Sequence, residues 1–173
     1  KIFTATAVLM MIDRKVINLN DKIGKFFSDG SYVDKVSIWN LLTHTSGIAA
    51  QMSKLAELSK EKINNLILNA PLINDPGKVV MYANVNSYLL GKIVELVSNK
   101  NLDQFLADEL FKPLGMNNTF FNPSLSLYEK IVPTEITESR GAIRGTVHDE
   151  SAFALGGVTG HAGAFSTAND LLC

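Results

Sequence analysis

The stretch VNSYLLGKIVELVS, residues 85–98, constrains the fold more than any other. Val85, Leu89, Leu90, Ile93, Val94 and Val97 recur at helical spacing, which predicts a helix with a wide apolar face that must be covered by other elements. LDQFLADELF at 102–111 repeats the pattern, and Pro113 stops it. Residues 2–14 read as a further apolar helix, which opens on Lys1 with no capping residue in front. Ser37 predicts the N-cap and Gly47 the C-terminal cap of a short helix within 36–48, and Ser59 opens another over 60–69. NLNDKIGKFFSDG at 18–30 reads as a turn, a short amphipathic helix and a glycine stop. NDPG at 74–77 is a turn signal, and VVMY at 79–82 is briefly extended. Residues 117–147 are mostly loop, and GGVTGHAG at 156–163 is a glycine-rich loop. Thr167 and Asp170 are spaced like a capping box at the start of a last helix. The chain is therefore mostly helical, with long loops and few strands.

At 173 residues the chain is long enough for one domain with a real core, and no internal repeat divides it. A net charge of −1 gives no footprint for nucleic acid. The single Cys173 makes no intrachain disulfide and no cysteine metal cluster. Lys1 followed by IFTATAVLMMI has the basic and apolar parts of a signal peptide, but Asp13 and Arg14 follow where a small-residue cleavage site would stand. The apolar run is also too short to span a bilayer.

Chemistry concentrates at MYANVNSYLLG, 81–91, where Tyr82 and Asn84 stand two apart between a turn and a helix. In extended backbone such residues point the same way, so a phenol and an amide would share one pocket. A phenol serves as a base near neutral pH only beside a stabilising cation, and a lysine would supply one. The plainer account is a turn tyrosine followed by a helix-capping Asn84. Ser59 and Lys62 spell the chain's complete S-x-x-K, but in a charged context where Ser59 is a natural N-cap. His44 and Ser46 lack the strand-turn-helix setting of a nucleophile elbow. His148, Asp149, Glu150 and His161 have no metal-ligand spacing.

Taken together, KIFTATAVL (1–9), LLTHTSG (41–47), PGKVVMYAN (76–84), FKPLGMNNTFF (111–121), RGTVHDESA (144–152) and GGVTGHAGAFSTANDL (156–171) form an ordered set. This set resembles the serine beta-lactamase and penicillin-binding-protein superfamily, in its class C beta-lactamase-like branch. The VHDE and GHAG stretches look most like the penicillin-binding-protein 4B type. The resemblance implies an α+β, beta-lactamase/transpeptidase-like fold, with residues 1–173 a partial domain that holds mostly the helical subdomain and little of the antiparallel sheet. It implies that Lys1 is the lysine of an S-x-x-K motif, whose nucleophilic serine would stand three residues earlier. One helix face carries positions i and i+3, so such a lysine reaches the serine hydroxyl. Tyr82 would be the acid/base phenol of the second motif, and Asn84 would orient the lysine or the substrate amide. His161-Ala162-Gly163 matches the third motif H-x-G as a string, but lies in a loop; His161 is carried as a substrate-binding residue of the pocket wall.

The resemblance implies acyl-enzyme chemistry with no metal and no cofactor, on a beta-lactam, a D-Ala-D-Ala peptide or an ester. Substrates would be small molecules or of peptidoglycan type, with no nucleic acid, and the location periplasmic, extracellular or in the cell envelope. The rival reading is a degenerate, non-catalytic hydrolase that binds peptidoglycan or a protein partner. Loss of a catalytic serine costs another serine hydrolase about a million-fold in turnover. The 173-residue chain alone is therefore expected to be inactive. Its hydrolysis of nitrocefin or p-nitrophenyl acetate should not exceed that of a Tyr82→Phe control.

Overall fold

A computed structural model describes residues 1–50, 52, 58 and 60–173. Its centre is the helix α4, Asn84–Ser98, which is buried from Val85 to Gly91 and again at Ile93 and Val94. Burial on nearly every side follows from an apolar face widened by Ser87 and Gly91, small residues that let neighbours approach. Helix α1, Ile2–Asp13, lays Thr4, Ala7, Val8 and Met11 inward and packs against α4. Those positions follow the i, i+3, i+4, i+7 rhythm of one helix face. The short helices α2, Ile38–Leu42, and α5, Leu102–Leu106, pack against α4 as well. A π-helical turn, Ala107–Phe111, extends α5 and sets Phe111 edge-on to Phe3, with ring centroids 5.0 Å apart. Helix α3, Lys60–Leu68, buries Ile63 and Ile67, and the Tyr32 hydroxyl donates to the Ile67 carbonyl at 2.5 Å.

Strands are few and short among the described residues. β1, Phe120–Phe121, pairs antiparallel with β4, Ala164–Phe165, and β2, Glu135–Thr137, with β3, Gly141–Ile143. Two- and three-residue strands are too short to print a period of two, so the sequence reads 117–147 as loop. Helix α6, Glu150–Ala154, and α7, Ala168–Leu171, complete the order. Of the expected capping box at α7, the N-cap half is present: the Thr167 hydroxyl accepts from the Asp170 amide and donates to the Asp170 carboxylate. The Asp170 carboxylate also accepts from the Asn118 amide and the Thr119 hydroxyl, both at 2.8 Å, which ties α7 to the approach to β1.

Three local expectations change. Residues 18–30 hold only a 3-10 turn, Ile23–Lys25, because the Ile23 and Gly24 amides donate across the chain to Val36 and Val33. Helix α2 starts at its predicted Ser37 cap, closed into a box by Asn40, but ends at Leu42. The left-handed residue that follows is His44, φ 55°, well before Gly47. Residues 79–82 join no strand, and the Met81 amide donates to the His44 carbonyl at 2.8 Å. The reading of Ser59 as a cap lies outside the described residues. Among those residues, no helix is long and apolar enough to cross a membrane.

One close approach positions the glycine-rich loop. A Cβ at Gly91 would lie 2.9 Å from the Gly160 Cα, and one at Gly160 would lie 2.0 Å from the Ser87 carbonyl oxygen. Neither residue can carry a side chain, so loop 156–163 rests directly on the α4 backbone. Gly160→Ala should lower stability by about 3 kcal/mol, at the upper end of overpacking penalties. A urea unfolding midpoint equal to wild type would show that the loop does not press on α4.

Candidate active site

Lys1, far from Tyr82 and Asn84 in sequence, comes close to them. The Lys1 Nζ donates to the backbone carbonyl of His161 at 2.8 Å and lies 5.4 Å from the centre of the Tyr82 ring. Thr4, one turn along α1, donates its hydroxyl to the Gly160 carbonyl at 2.8 Å. Two successive carbonyls of the loop thus fix the first turn of α1. A cation in the first helical turn is unfavourable toward the macrodipole. The carbonyl and the aromatic face offset this at Lys1.

Tyr82 follows the turn at 74–77 and is exposed, while Asn84 is the first residue of α4. The Tyr82 hydroxyl donates to Asn84 Oδ1 at 3.1 Å. Ala83, not Asn84, is the N-cap of α4, so the Asn84 side chain is free of capping. Its Nδ2 donates to Asp149 Oδ2 at 3.3 Å. Behind Tyr82 stands the His44 ring, with centroids 4.9 Å apart. His44 Nδ1 lies 2.9 Å from Asn86 Nδ2, and the Ser46 hydroxyl donates to Asn86 Oδ1 at 2.6 Å. Ser46 is therefore bonded to Asn86 rather than paired with His44. Burial, and secondarily the charge of Lys1, lower the His44 pKa below its ordinary value. That keeps the ring neutral with Nδ1 free to accept, which suits its amide donor.

His161 corrects the expectation of a substrate contact. Its side chain is 0% exposed, and the ring faces inward. Nε2 lies 3.2 Å from Asp149 Oδ1 and 3.0 Å from the Ser151 hydroxyl, while Nδ1 has no hydrogen-bond partner among the described residues. The ring anchors the loop, and the main-chain carbonyl is what serves Lys1. Asp149 caps α6 by accepting from the Ala152 amide at 2.9 Å and also accepts from the Ser151 hydroxyl at 2.5 Å. Hydrogen bonding from His161, with further help from Ser151 and Ala152, holds its carboxyl well below the usual range against the opposing effect of burial. In the sequence Asp149 stands among candidate metal ligands without the spacing for one; an Asp three residues before a helical amide is an N-cap signal. His148 pairs instead with Glu135 at 2.6 Å, and among the described residues no group of three His, Cys, Asp or Glu side chains is placed to hold a metal ion.

Tyr82, Asn84 and Asp149 border a cleft of about 710 Å³. Ile48, Ala49, Met52 and Met81 supply an apolar wall. Apolar lining with a few convergent polar groups is the usual build of a small-molecule site.

The Beta-lactamase family profile matches residues 1–172. The chain belongs to the beta-lactamase family. A relative from Salmonella agona, named "Putative D-alanyl-D-alanine carboxypeptidase", is 31% identical over 97% of the chain and 46% of its own length. The chain thus spans about half the length of the curated relatives it matches. Among solved structures, a class C beta-lactamase superposes with a TM-score of 0.82 at 20% identity, over 99% of this chain and 46% of that one. The beta-lactamase/D-alanine carboxypeptidase of Pseudomonas syringae gives 0.78 at 21% identity, over 98% and 46%. The octameric penicillin-binding-protein homologue of Pyrococcus abyssi gives 0.74 at 24%, over 98% and 41%. The fold is accordingly of the beta-lactamase/transpeptidase type, here helix-rich with short antiparallel pairs.

The His44 environment has a measurable consequence. A histidine pKa lowered by folding gives stability that is full above the unfolded value near 6.5 and is lost as pH falls through the folded value. Lys1→Met removes one of the two causes, so the His44 midpoint in an NMR titration should rise toward the ordinary value. A midpoint that does not move would place the Lys1 charge out of reach of the ring.

Proposed function

We propose that this chain carries the lysine–tyrosine proton-transfer part of a serine hydrolase active site. The enzyme would act through an acyl-enzyme on a beta-lactam, a D-alanyl-D-alanine peptide or an ester. The observation that carries the reading is the approach of the Lys1 amine to the Tyr82 ring, 5.4 Å from its centre, while the Tyr82 hydroxyl bonds Asn84 at the edge of the cleft. The family membership and the carboxypeptidase and beta-lactamase names of its relatives support it.

In this reading a serine three positions before Lys1 is the nucleophile. Its oxygen attacks the substrate carbonyl, and its proton passes to the Lys1–Tyr82 pair. The scissile bond breaks as that pair returns the proton to the leaving group. Water then hydrolyses the acyl-serine ester by the same path in reverse. Lys1 is suited to the task because its amine is held by a neutral carbonyl, not neutralised by a carboxylate. Asn84 fixes the Tyr82 hydroxyl. The full-length protein works on cell-envelope material.

The test is covalent labelling of the full-length protein with a fluorescent penicillin, followed by mass spectrometry. Wild type should gain one acyl group, and Lys1→Met and Tyr82→Phe should slow labelling about 10²–10⁴-fold, the usual size of a general acid–base contribution. A protein that binds penicillin without acylation would instead be the non-catalytic binding module.

A further inference from the structure

We propose that Asp149 is a positioning residue of this site: it sets the orientation of Asn84 and, through the His161 loop, the place of Lys1. The proposal rests on the hydrolase reading above. The carboxylate is a junction between two arms. On one arm, Oδ2 accepts from Asn84 Nδ2, and Asn84 Oδ1 accepts from the Tyr82 hydroxyl. On the other, Oδ1 stands 3.2 Å from His161 Nε2, and the His161 carbonyl accepts from Lys1 Nζ. Both proton-handling groups are thus tied to one side chain that contacts neither.

The chemistry of the carboxylate makes the tie directional. An ionised carboxylate only accepts hydrogen bonds. It therefore admits only the NH₂ end of the Asn84 amide, which turns the carbonyl end to the Tyr82 hydroxyl. Tyr82 is left as a donor with a fixed rotor and with lone pairs facing away from Asn84. The groups around Tyr82 are Lys1 from α1, His44 from the turn after α2, and Asn84 and Asp149 from the starts of α4 and α6. His148 and Glu150 line the same cleft, but among the described residues Asp149 is the carboxylate that bonds Asn84. The same carboxylate is held ionised by the inward His161 ring, the Ser151 hydroxyl and the Ala152 amide.

Asp149→Asn separates this role from the helix cap. An amide keeps an acceptor oxygen for the Ala152 amide, and Asn caps helices as well as Asp does. It also offers an NH₂ group, so Asn84 is no longer forced into one orientation. Steady-state kinetics of the full-length protein with a chromogenic ester should show kcat reduced at least about tenfold and KM within about threefold of wild type, as for loss of an interaction made in the transition state. The decisive measurement is the cycle with Asn84→Ala. Asp149→Asn keeps the Oδ1 acceptor that meets the His161 ring and alters only the Asn84 arm, so it should change kcat by less than about twofold in the Asn84→Ala background. Asp149→Ser, which also caps, should reproduce the result if Asp149→Asn loses its cooperative melt. Equal losses in both backgrounds, or a wild-type rate in Asp149→Asn, overturn the proposal. An inert wild type, or an Asn84→Ala variant as active as wild type, brings down the hydrolase reading itself and this inference with it.

Discussion

The contact of Gly160 with Gly91 is the constraint on which the rest of the site depends. Two backbones meet there without side chains between them, and the Ser87 carbonyl closes the same space. Everything upstream and downstream in loop 156–163 is placed by that seat. The carbonyls of residues 160 and 161 then stand over the first turn of α1, where Thr4 and Lys1 reach them. A larger residue at either position would lift the loop by the thickness of a methyl group, more than a hydrogen bond tolerates. The buried core of α4 therefore does more than stabilise. It is the reference surface from which the amine is measured.

A second level of organisation is polar. Asp149 gathers an amide, a hydroxyl, an imidazole and a side-chain amide around one carboxylate. Such a group costs several kcal/mol to desolvate if unpaired, and its four partners offset that cost. The same arrangement fixes α6, the loop and the start of α4 relative to one another. Across the cleft, Ser46, Asn86 and His44 make a smaller chain of the same kind behind Tyr82. The phenol thus stands on a neutral, hydrogen-bonded backing while its hydroxyl turns toward Asn84.

Long periodic helices were legible in the sequence, and so were caps. The apolar rhythm of 85–98 and the opening run mark α4 and α1 because many residues report one period. Ser37 and Thr167 mark helix starts because a hydroxyl three residues ahead of an amide has one obvious use. Short elements failed for the opposite reason. Ile23 and Gly24 donate across the chain to Val36 and Val33, and no local pattern announces partners about ten residues away. Motif order, which carries information that spacing alone does not, is what singles out Tyr82, Asn84 and Lys1 as candidates. The sequence points to the His161 side chain, whereas the atom that meets Lys1 is its carbonyl, since a sequence displays side chains and hides carbonyls. Asp149 was seen only as a poor metal ligand, because its junction role exists only once four distant segments have met.

That last distinction has a consequence for how variation reads this protein. The lysine is gripped by a peptide oxygen, and every one of the twenty residues brings the same oxygen to position 161. Nothing in the genetic code can delete it. An alanine scan would therefore pass over the atom that holds the amine and report only on the ring behind it. Evolution can adjust the grip only by rerouting the chain, and chemistry can weaken it only by editing the backbone, for instance by replacing the amide after residue 161 with an ester, whose carbonyl is a poorer acceptor.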